Sequence, residues 1–250
     1  MASEKTIVLI TGANGGIGFE TALLLASSSP SYHVIIGSRS TEKGQAALES
    51  IQSHKPSGTL SVVQLDVTSE ESLSSAYNSV SEEFGRLDVL INNAGIVSNE
   101  KTLRADLKAT FETNTFGAAL TTEKFLPLLE KSKSARVLYI TSGLGSLTLR
   151  ADSQHWSYSV DALTYRMSKA ALNMLMVCQH REFQKKGIKV WAICPGYVIT
   201  NLTGEADREN RAKQGADSPA TSAETIRTVV EGKRDQDVGR MVHKDGIYDW

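Results

Sequence analysis

Two side chains in this sequence have the types and spacing for acid–base chemistry, Tyr165 and Lys169 in the run Tyr165-Arg166-Met167-Ser168-Lys169. Four residues apart on a helix, a phenol and an ammonium stand on one face, within ~6 Å of each other. Free tyrosine titrates near ~10, and a fixed cation beside it favours the phenolate, lowering that value by roughly 1–3. Such a phenol suits protonation of a carbonyl oxygen that gains negative charge as a reaction proceeds. The same spacing also arises by chance on many helices, with the lysine solvated and the tyrosine in the core. The pair gains meaning only from what the chain places around it.

The elements that would hold it read as alternating strands and helices. Residues 6–11 are a short apolar run ended by glycines, and residues 16–27 carry Ile17, Leu23, Leu24 and Leu25 as a core-facing helix would. Between them lies Gly12-Ala13-Asn14-Gly15-Gly16-Ile17-Gly18. A strand that feeds a helix through glycines lets backbone approach a pyrophosphate and aims helix N-terminal amides at its charge. Gly12, Asn14, Gly16, Ile17 and Gly18 are therefore candidate cofactor contacts. The spacing departs from G-x-G-x-x-G, and a plain turn is the competing reading. Residues 33–37 read as the second strand, ending at Ser38-Arg39-Ser40, where an NAD-binding unit places an acid on the ribose hydroxyls. No acid is present. Arg39, beside Ser38, either offers its donor fork to a 2′-phosphate, which points to NADP(H), or faces solvent at the start of the next helix.

Helix 41–53, strand 60–65 and helix 69–84 continue the alternation, the last with a capping box in Thr68-Ser69-Glu70-Glu71. Asp66 closes the third strand, either to accept from an adenine amine or as an ordinary turn residue. Residues 89–91 form a buried strand ending in Asn92-Asn93-Ala94-Gly95, whose small and amide side chains leave room for a ligand. One helix is expected over 103–129. Asn114 sits inside it, against the preference of asparagine for caps and turns, so its amide needs a specific partner. Strand 136–140 delivers the hydroxyls of Thr141 and Ser142 to the edge of the sheet.

Residues 143–164 show weak periodicity and read as a long substrate loop. Its His155, Trp156 and Tyr158 either supply apolar faces with polar tips to a pocket or pack inward to anchor the loop. The helix beginning near Asp161 carries Tyr165 and Lys169, with Leu172, Leu175, Met176 and Phe183 as its buried face and Cys178 in the same core. Strand 189–194 stops at Pro195-Gly196-Tyr197-Val198-Ile199-Thr200, since proline cannot continue the ladder. Residues 197–220 form a second, polar substrate segment. Thr221-Ser222-Ala223-Glu224 caps a short helix, and residues 239–242 read as the last strand.

At 250 residues, one domain is expected. The net charge of −1, with scattered Lys and Arg, gives no footprint for nucleic acid or an anionic membrane. The two cysteines, Cys178 and Cys194, lack the spacing of a disulfide scaffold or a metal site, which points to a reducing compartment. Residues 1–5 run into an apolar segment without a leader pattern, and no 18-residue apolar stretch follows. A soluble cytoplasmic protein is the expectation.

Four motifs occur in order: Thr11-Gly12-Ala13-Asn14-Gly15-Gly16-Ile17-Gly18, Asn92-Asn93-Ala94-Gly95, Tyr165-x-x-x-Lys169 and Pro195-Gly196-x-x-x-Thr200. Together they resemble the short-chain dehydrogenase/reductase family over nearly the full chain. Within that family, Phe111-Glu112-Thr113-Asn114-Thr115, the run from Tyr165 to Asn173 and Asp245-Gly246 look like the sniffer-type carbonyl reductases. The resemblance implies an α/β Rossmann fold, a doubly wound, mainly parallel seven-stranded sheet with helices on both faces. It also implies a tetrad of Asn114, Ser142, Tyr165 and Lys169. Tyr165 would protonate the substrate oxygen as hydride reaches carbon, and Ser142 would donate to the developing alkoxide. Lys169 would hold the nicotinamide ribose and depress the phenol's pKa, and Asn114 would hold a water that relays protons to Lys169. Thr141 is the rival hydroxyl, but the family's serine is the second of the pair.

The family pattern further implies Ile17 and Gly18 at the phosphates, Asp66 and Val67 at the adenine, and Asn93, Ala94 and Gly95 along the ribose. Val198 and Thr200, following Pro195 and Gly196, would meet the carboxamide. The implied activity is NADPH-dependent reduction of a small-molecule ketone or aldehyde, or the reverse oxidation of an alcohol. The alternative is a catalytically idle NADP-binding sensor, which would tolerate loss of Tyr165 or Ser142. Two departures stand out. The segment from Ser142 to Tyr165 is longer than in many members. The chain also continues only briefly past its last strand, which leaves a homodimer rather than the family's common tetramer as the expected assembly.

Overall fold

Successive side chains of a strand point to opposite faces, so an uninterrupted apolar run such as Thr6–Thr11 must be covered on both sides. In the computed structural model, which describes residues 5–250, Ile7 and Leu9 join one buried cluster while Val8 and Ile10 join the other. The reading of residues 1–4 as leader-free lies outside the described residues.

The chain alternates as expected through β1 (Thr6–Thr11), α1 (Gly16–Ser28), β2 (Tyr32–Ser38), α2 (Thr41–Ser53), β3 (Thr59–Gln64), α3 (Glu70–Phe84) and β4 (Val89–Asn92). It goes on through α4 (Leu103–Phe111), α5 (Gly117–Leu129), β5 (Arg136–Ile140), α6 (Leu147–Ala151), α7 (Leu163–Phe183) and β6 (Lys189–Ile193). The last elements are α8 (Arg208–Lys213), α9 (Pro219–Val230), β7 (Met241–His243) and β8 (Gly246–Tyr248). The strands form one sheet in the order β3-β2-β1-β4-β5-β6-β7-β8, parallel except for β8. Helices α3, α5 and α7 pack Leu73, Phe125, Leu172 and Met176 on one face, and α1, α2 and α9 pack Leu25, Ile51 and Ile226 on the other. Among the described residues no helix is long and apolar enough to cross a membrane.

Several expectations are corrected. The sheet has eight strands, not seven, because residues 246–248 fold back on β7 as a short antiparallel hairpin. The helix expected over 103–129 is interrupted by a π-helical turn, Glu112–Phe116, in which the Gly117 amide donates back to the Glu112 carbonyl. Asn114 sits within this turn, the kind of local widening often found at functional sites. Ser69, not Thr68, caps α3 by accepting from Ser72 N, while Thr68 bonds to Asp66. Helix α9 begins earlier than expected, capped by Ser218 with Pro219 in its first turn. Cys178 is exposed, not in the core. At 100° per residue it lies about 200° around the helix from buried Met176, on the side that also exposes Met174 and Val177.

Candidate active site

The strand order reverses between β1 and β4, and in open α/β sheets ligands bind at the carboxyl ends of strands beside such a switch point. A groove of about 1350 Å³ opens there. Six strands deliver residues to it: Gly12 after β1, Arg39 after β2, Asp66 after β3, Asn93 after β4, Ser142 after β5 and Pro195 after β6. Arg39 and Ser142 thus lie on opposite sides of the switch point.

Gly12, Asn14, Gly16 and Ile17 line the groove, with buried Gly18 behind them. A Cβ on Gly18 would come 2.5 Å from Asn93 Nδ2 and 2.9 Å from Ala13 Cα, so only glycine lets α1 start this close to the next turn. Asn93 Nδ2 donates to the carbonyls of Thr11 and Gly12 at 2.8 and 3.2 Å, and Thr11 Oγ1 accepts from the amides of Asn93 and Ala94. The glycine loop and the Asn93-Ala94-Gly95 turn are therefore one hydrogen-bonded unit, more than a plain turn needs. Arg39 is exposed on the wall together with Lys43, and neither has a carboxylate within 4.0 Å among the described residues. Ser38 is not brought to the groove, since it is buried and donates to the Ser40 carbonyl. Asp66 is both turn and wall residue. Its Oδ1 accepts from Thr68 N and Oγ1, and it borders the groove beside Val67. Pro195, Gly196, Val198 and Thr200 line the far wall, with Thr200 facing Gly16.

At the other side of the switch point, Lys169 Nζ stands 5.6 Å from the centroid of the Tyr165 ring and donates to the Ile140 carbonyl at 2.8 Å. Ser142 reaches the same place because the chain after it runs hard against α7. A Cβ on Gly145 would lie 2.6 Å from the carbonyl carbon of Lys169. The Ser142 hydroxyl lies beside the Tyr165 phenol, near enough to pull its pKa down, and accepts from Leu144 N at 3.1 Å. Thr141, one residue back and so on the opposite face of the chain, is buried and bonded to Asn173 and the Lys169 carbonyl. Of the two hydroxyls, that of Ser142 is the one left beside the phenol.

Asn114 lies behind Lys169 and does not line the groove. Its amide donates to the Ile96 carbonyl at 2.9 Å and Ser168 Oγ at 3.0 Å, while Oδ1 accepts from Ile96 N at 2.8 Å. Oδ1 and Lys169 Nζ lie 3.4 and 3.5 Å from where a Cβ on Gly95 would be, so both face the space this glycine keeps open.

Burial raises the Tyr165 pKa above the ordinary phenol range. Cys194 adds to the rise, and Ser142 and Arg211 act against it. The depression expected from Lys169 is outweighed by this burial. The Lys169 ammonium donates to the Ile140 carbonyl and stands over the ring, and burial pulls its own pKa down to about 8.

The segment expected as a loop over 143–164 contains α6 and two 3₁₀ turns, Gly143–Gly145 and Trp156–Ser159. Trp156 is 63 % exposed and Tyr158 48 %, so neither anchors the segment from within. His155 and Trp156 line the groove, whereas Tyr158 packs beside Arg150. The anchor is Arg166, absent from the sequence-based candidates. Its guanidinium donates to the carbonyls of Leu144, Ser157 and Val160. Lys43, Arg211 and Tyr248 also line the groove without having been singled out. Lys43 had a signal in the sequence, one helical turn beyond Arg39. Tyr248 had none, since it arrives through the β7–β8 hairpin.

The model of the short chain dehydrogenase family matches residues 6–211. The chain is 35% identical over 263 residues to the short-chain dehydrogenase/reductase tropE of Talaromyces stipitatus, covering 98% of this chain and 97% of that protein. It is 38% identical over 249 residues to the short-chain dehydrogenase anuI of Penicillium roqueforti, covering 96% and 95%. Among solved structures, an NADPH-bound carbonyl reductase from chicken fatty liver superposes with a TM-score of 0.82 at 31% identity, covering 99% of this chain and 100% of that one. The putative carbonyl reductase sniffer of Caenorhabditis elegans superposes at 0.77 and 28% identity, with the same coverage.

Proposed function

The chain belongs to the short-chain dehydrogenase/reductase family, and we propose from this that it transfers hydride from NADPH to the carbonyl carbon of a ketone or aldehyde, with Tyr165 as proton donor. The observation that carries the reading is that Ser142, Tyr165 and Lys169 line the same groove as the glycine loop, with the Lys169 ammonium over the Tyr165 ring. The groove fits the dinucleotide. It has a glycine cradle braced by Asn93 and, beyond β2, two cations without carboxylate partners, Arg39 and Lys43. Ile17 and Gly18 would take the phosphates through their amides, and Arg39 and Lys43 the 2′-phosphate. Asp66 and Val67 would border the adenine, Asn93, Ala94 and Gly95 the ribose, and Val198 and Thr200 the carboxamide. Residues 143–164 and 197–220 would cover the substrate.

NADPH, when bound, would supply the hydride. Burial keeps Tyr165 protonated at neutral pH, so it holds a proton to give. An alkoxide is a stronger base than even a buried phenolate, and transfer therefore runs toward the alcohol. Ser142 accepts from Leu144 N, which leaves its own O–H to donate to the oxygen as charge develops there. Lys169, charged below about pH 8, stands over the ring that would become a phenolate and would hold the nicotinamide ribose. Asn114 Oδ1 and Lys169 Nζ flank one small space over Gly95, where a water would return a proton to Lys169.

The test is loss of NADPH absorbance against a panel of ketones, aldehydes, quinones and steroids, with NADH in parallel. Turnover of some member with NADPH is expected. Tight NADPH binding with no turnover of any of them would favour the idle sensor.

A further inference from the structure

Arg211, on α8, is 9 % exposed and forms part of the groove wall. Its Nε donates to the Val198 carbonyl at 3.0 Å and its Nη1 to Thr203 Oγ1 at 3.1 Å, and the guanidinium stands 4.8 Å from the centroid of the Tyr197 ring. All three partners are neutral. Nη2 makes no hydrogen bond, yet it is not among the buried atoms sealed without a partner, so it opens toward solvent.

A charged side chain this enclosed is ordinarily paired, because losing water is costly without a counter-charge. Among the described residues no carboxylate lies within 4.0 Å of Arg211. Three acids near it in sequence have other partners. Asp207 accepts from Thr203 Oγ1 and so reaches Arg211 only through that hydroxyl, Glu209 pairs with Lys213, and Asp217 pairs with Lys244. Arg211 is therefore held rigidly from behind while its charge stays uncompensated at the groove. Its place is the catalytic side, since its charge reaches the Tyr165 phenol and pulls that pKa down. The cations suited to a 2′-phosphate follow β2, across the switch point.

We propose that Arg211 is an anion subsite of the substrate pocket and that the preferred carbonyl substrate carries a carboxylate, bound through the free edge of this guanidinium. The proposal rests on the carbonyl-reductase reading for the identity of the reacting group, not for the binding of the anion. A guanidinium presents parallel N–H donors that match a carboxylate, and such a pair would hold the substrate in register with the phenol. The competing role is a loop clamp, in which Arg211 merely ties Val198 to Thr203.

A matched pair separates the two, 4-carboxybenzaldehyde and its methyl ester, assayed with NADPH on wild type, Arg211→Met and Arg211→Lys. Wild type should favour the acid in kcat/KM by ~10-fold or more, mainly through KM. Arg211→Met should bring the ratio to about one whatever loss both aldehydes share, and Arg211→Lys, keeping the charge without the fork, should retain part of it. A wild-type ratio near one, or an unchanged ratio in Arg211→Met, overturns the subsite and leaves the clamp. Calorimetric binding of 4-(hydroxymethyl)benzoate and its methyl ester in the presence of NADP⁺ keeps the readings apart. Arg211-dependent preference for the acid without turnover of either aldehyde would uphold the subsite and sink the reductase. Turnover of both aldehydes without preference would do the reverse.

Discussion

Replacing Arg39 by Ala isolates the cofactor's phosphate from everything else in the groove. The Arg39 backbone is held independently of its side chain, since its carbonyl accepts from Gln64 Nε2, so the turn after β2 should survive the change. What is lost is a charged hydrogen bond to the 2′-phosphate, worth roughly 1.5–3 kcal/mol. Arg39 is exposed, which screens the interaction and favours the lower figure. At about 1.4 kcal/mol per decade, NADPH should bind about tenfold more weakly. NADH lacks the phosphate and should bind within about twofold of wild type on the same reasoning. Fluorescence titration of both cofactors measures this directly. The NADPH preference of wild type should also shrink as salt rises from ~0.1 M to ~1 M, where the screening length falls from about 10 Å to 3 Å. Removing Lys43 as well should deepen the NADPH loss alone. Equal losses for NADPH and NADH, or a preference indifferent to salt, would show that Arg39 supports the fold and that cofactor choice lies elsewhere.

Asn114→Ala strips partners from both the amide and the carbonyl of Ile96, at roughly 2–4 kcal/mol together. In a chain of this size Tm should fall by about 5–15 °C, and an unchanged melting curve would mean the π-helical turn is not held by this side chain. Lys169 gives a pH signature of known sign. Its folded pKa of about 8 lies below the ordinary lysine value of 10.5, so between these the unfolded chain binds more protons and stability rises with pH. Urea unfolding of wild type against Lys169→Met should show wild type gaining up to roughly 3 kcal/mol across that window, and parallel pH dependences would contradict the burial of a charged ammonium.

The fold was legible wherever local pattern decides it. The two-sided apolar run of β1 and the glycines between β1 and α1 placed the strand, the helix and the groove-lining turn between them without any knowledge of the sheet order. Helix spacing singled out Tyr165 and Lys169, while the strand end offered both Thr141 and Ser142 and only the family resemblance chose Ser142; the structure brings Tyr165, Lys169 and Ser142 to one groove. What stayed hidden depends on distant chain. Nothing near Asn114 announces a π-helical turn, which is fixed by bonds to Ile96 and Ser168. Arg166 has the sequence look of a solvated arginine, and only the path of residues 144–160 makes it an anchor. The phenol's pKa shows the same dependence: spacing gives the distance to Lys169 but not the burial of both groups, and burial sets the direction of both shifts.

The central claim is that Tyr165 delivers the proton, and Tyr165→Phe tests it with one missing oxygen. The substitution keeps the ring over which Lys169 sits, so Tm and NADPH affinity should stay close to those of wild type. With the best carbonyl substrate, single-turnover NADPH oxidation should slow by ~100-fold or more, the usual worth of a positioned proton donor. A variant that binds NADPH normally and retains more than a small fraction of the wild-type rate would contradict the account, and the proton would have to come from another group in the groove.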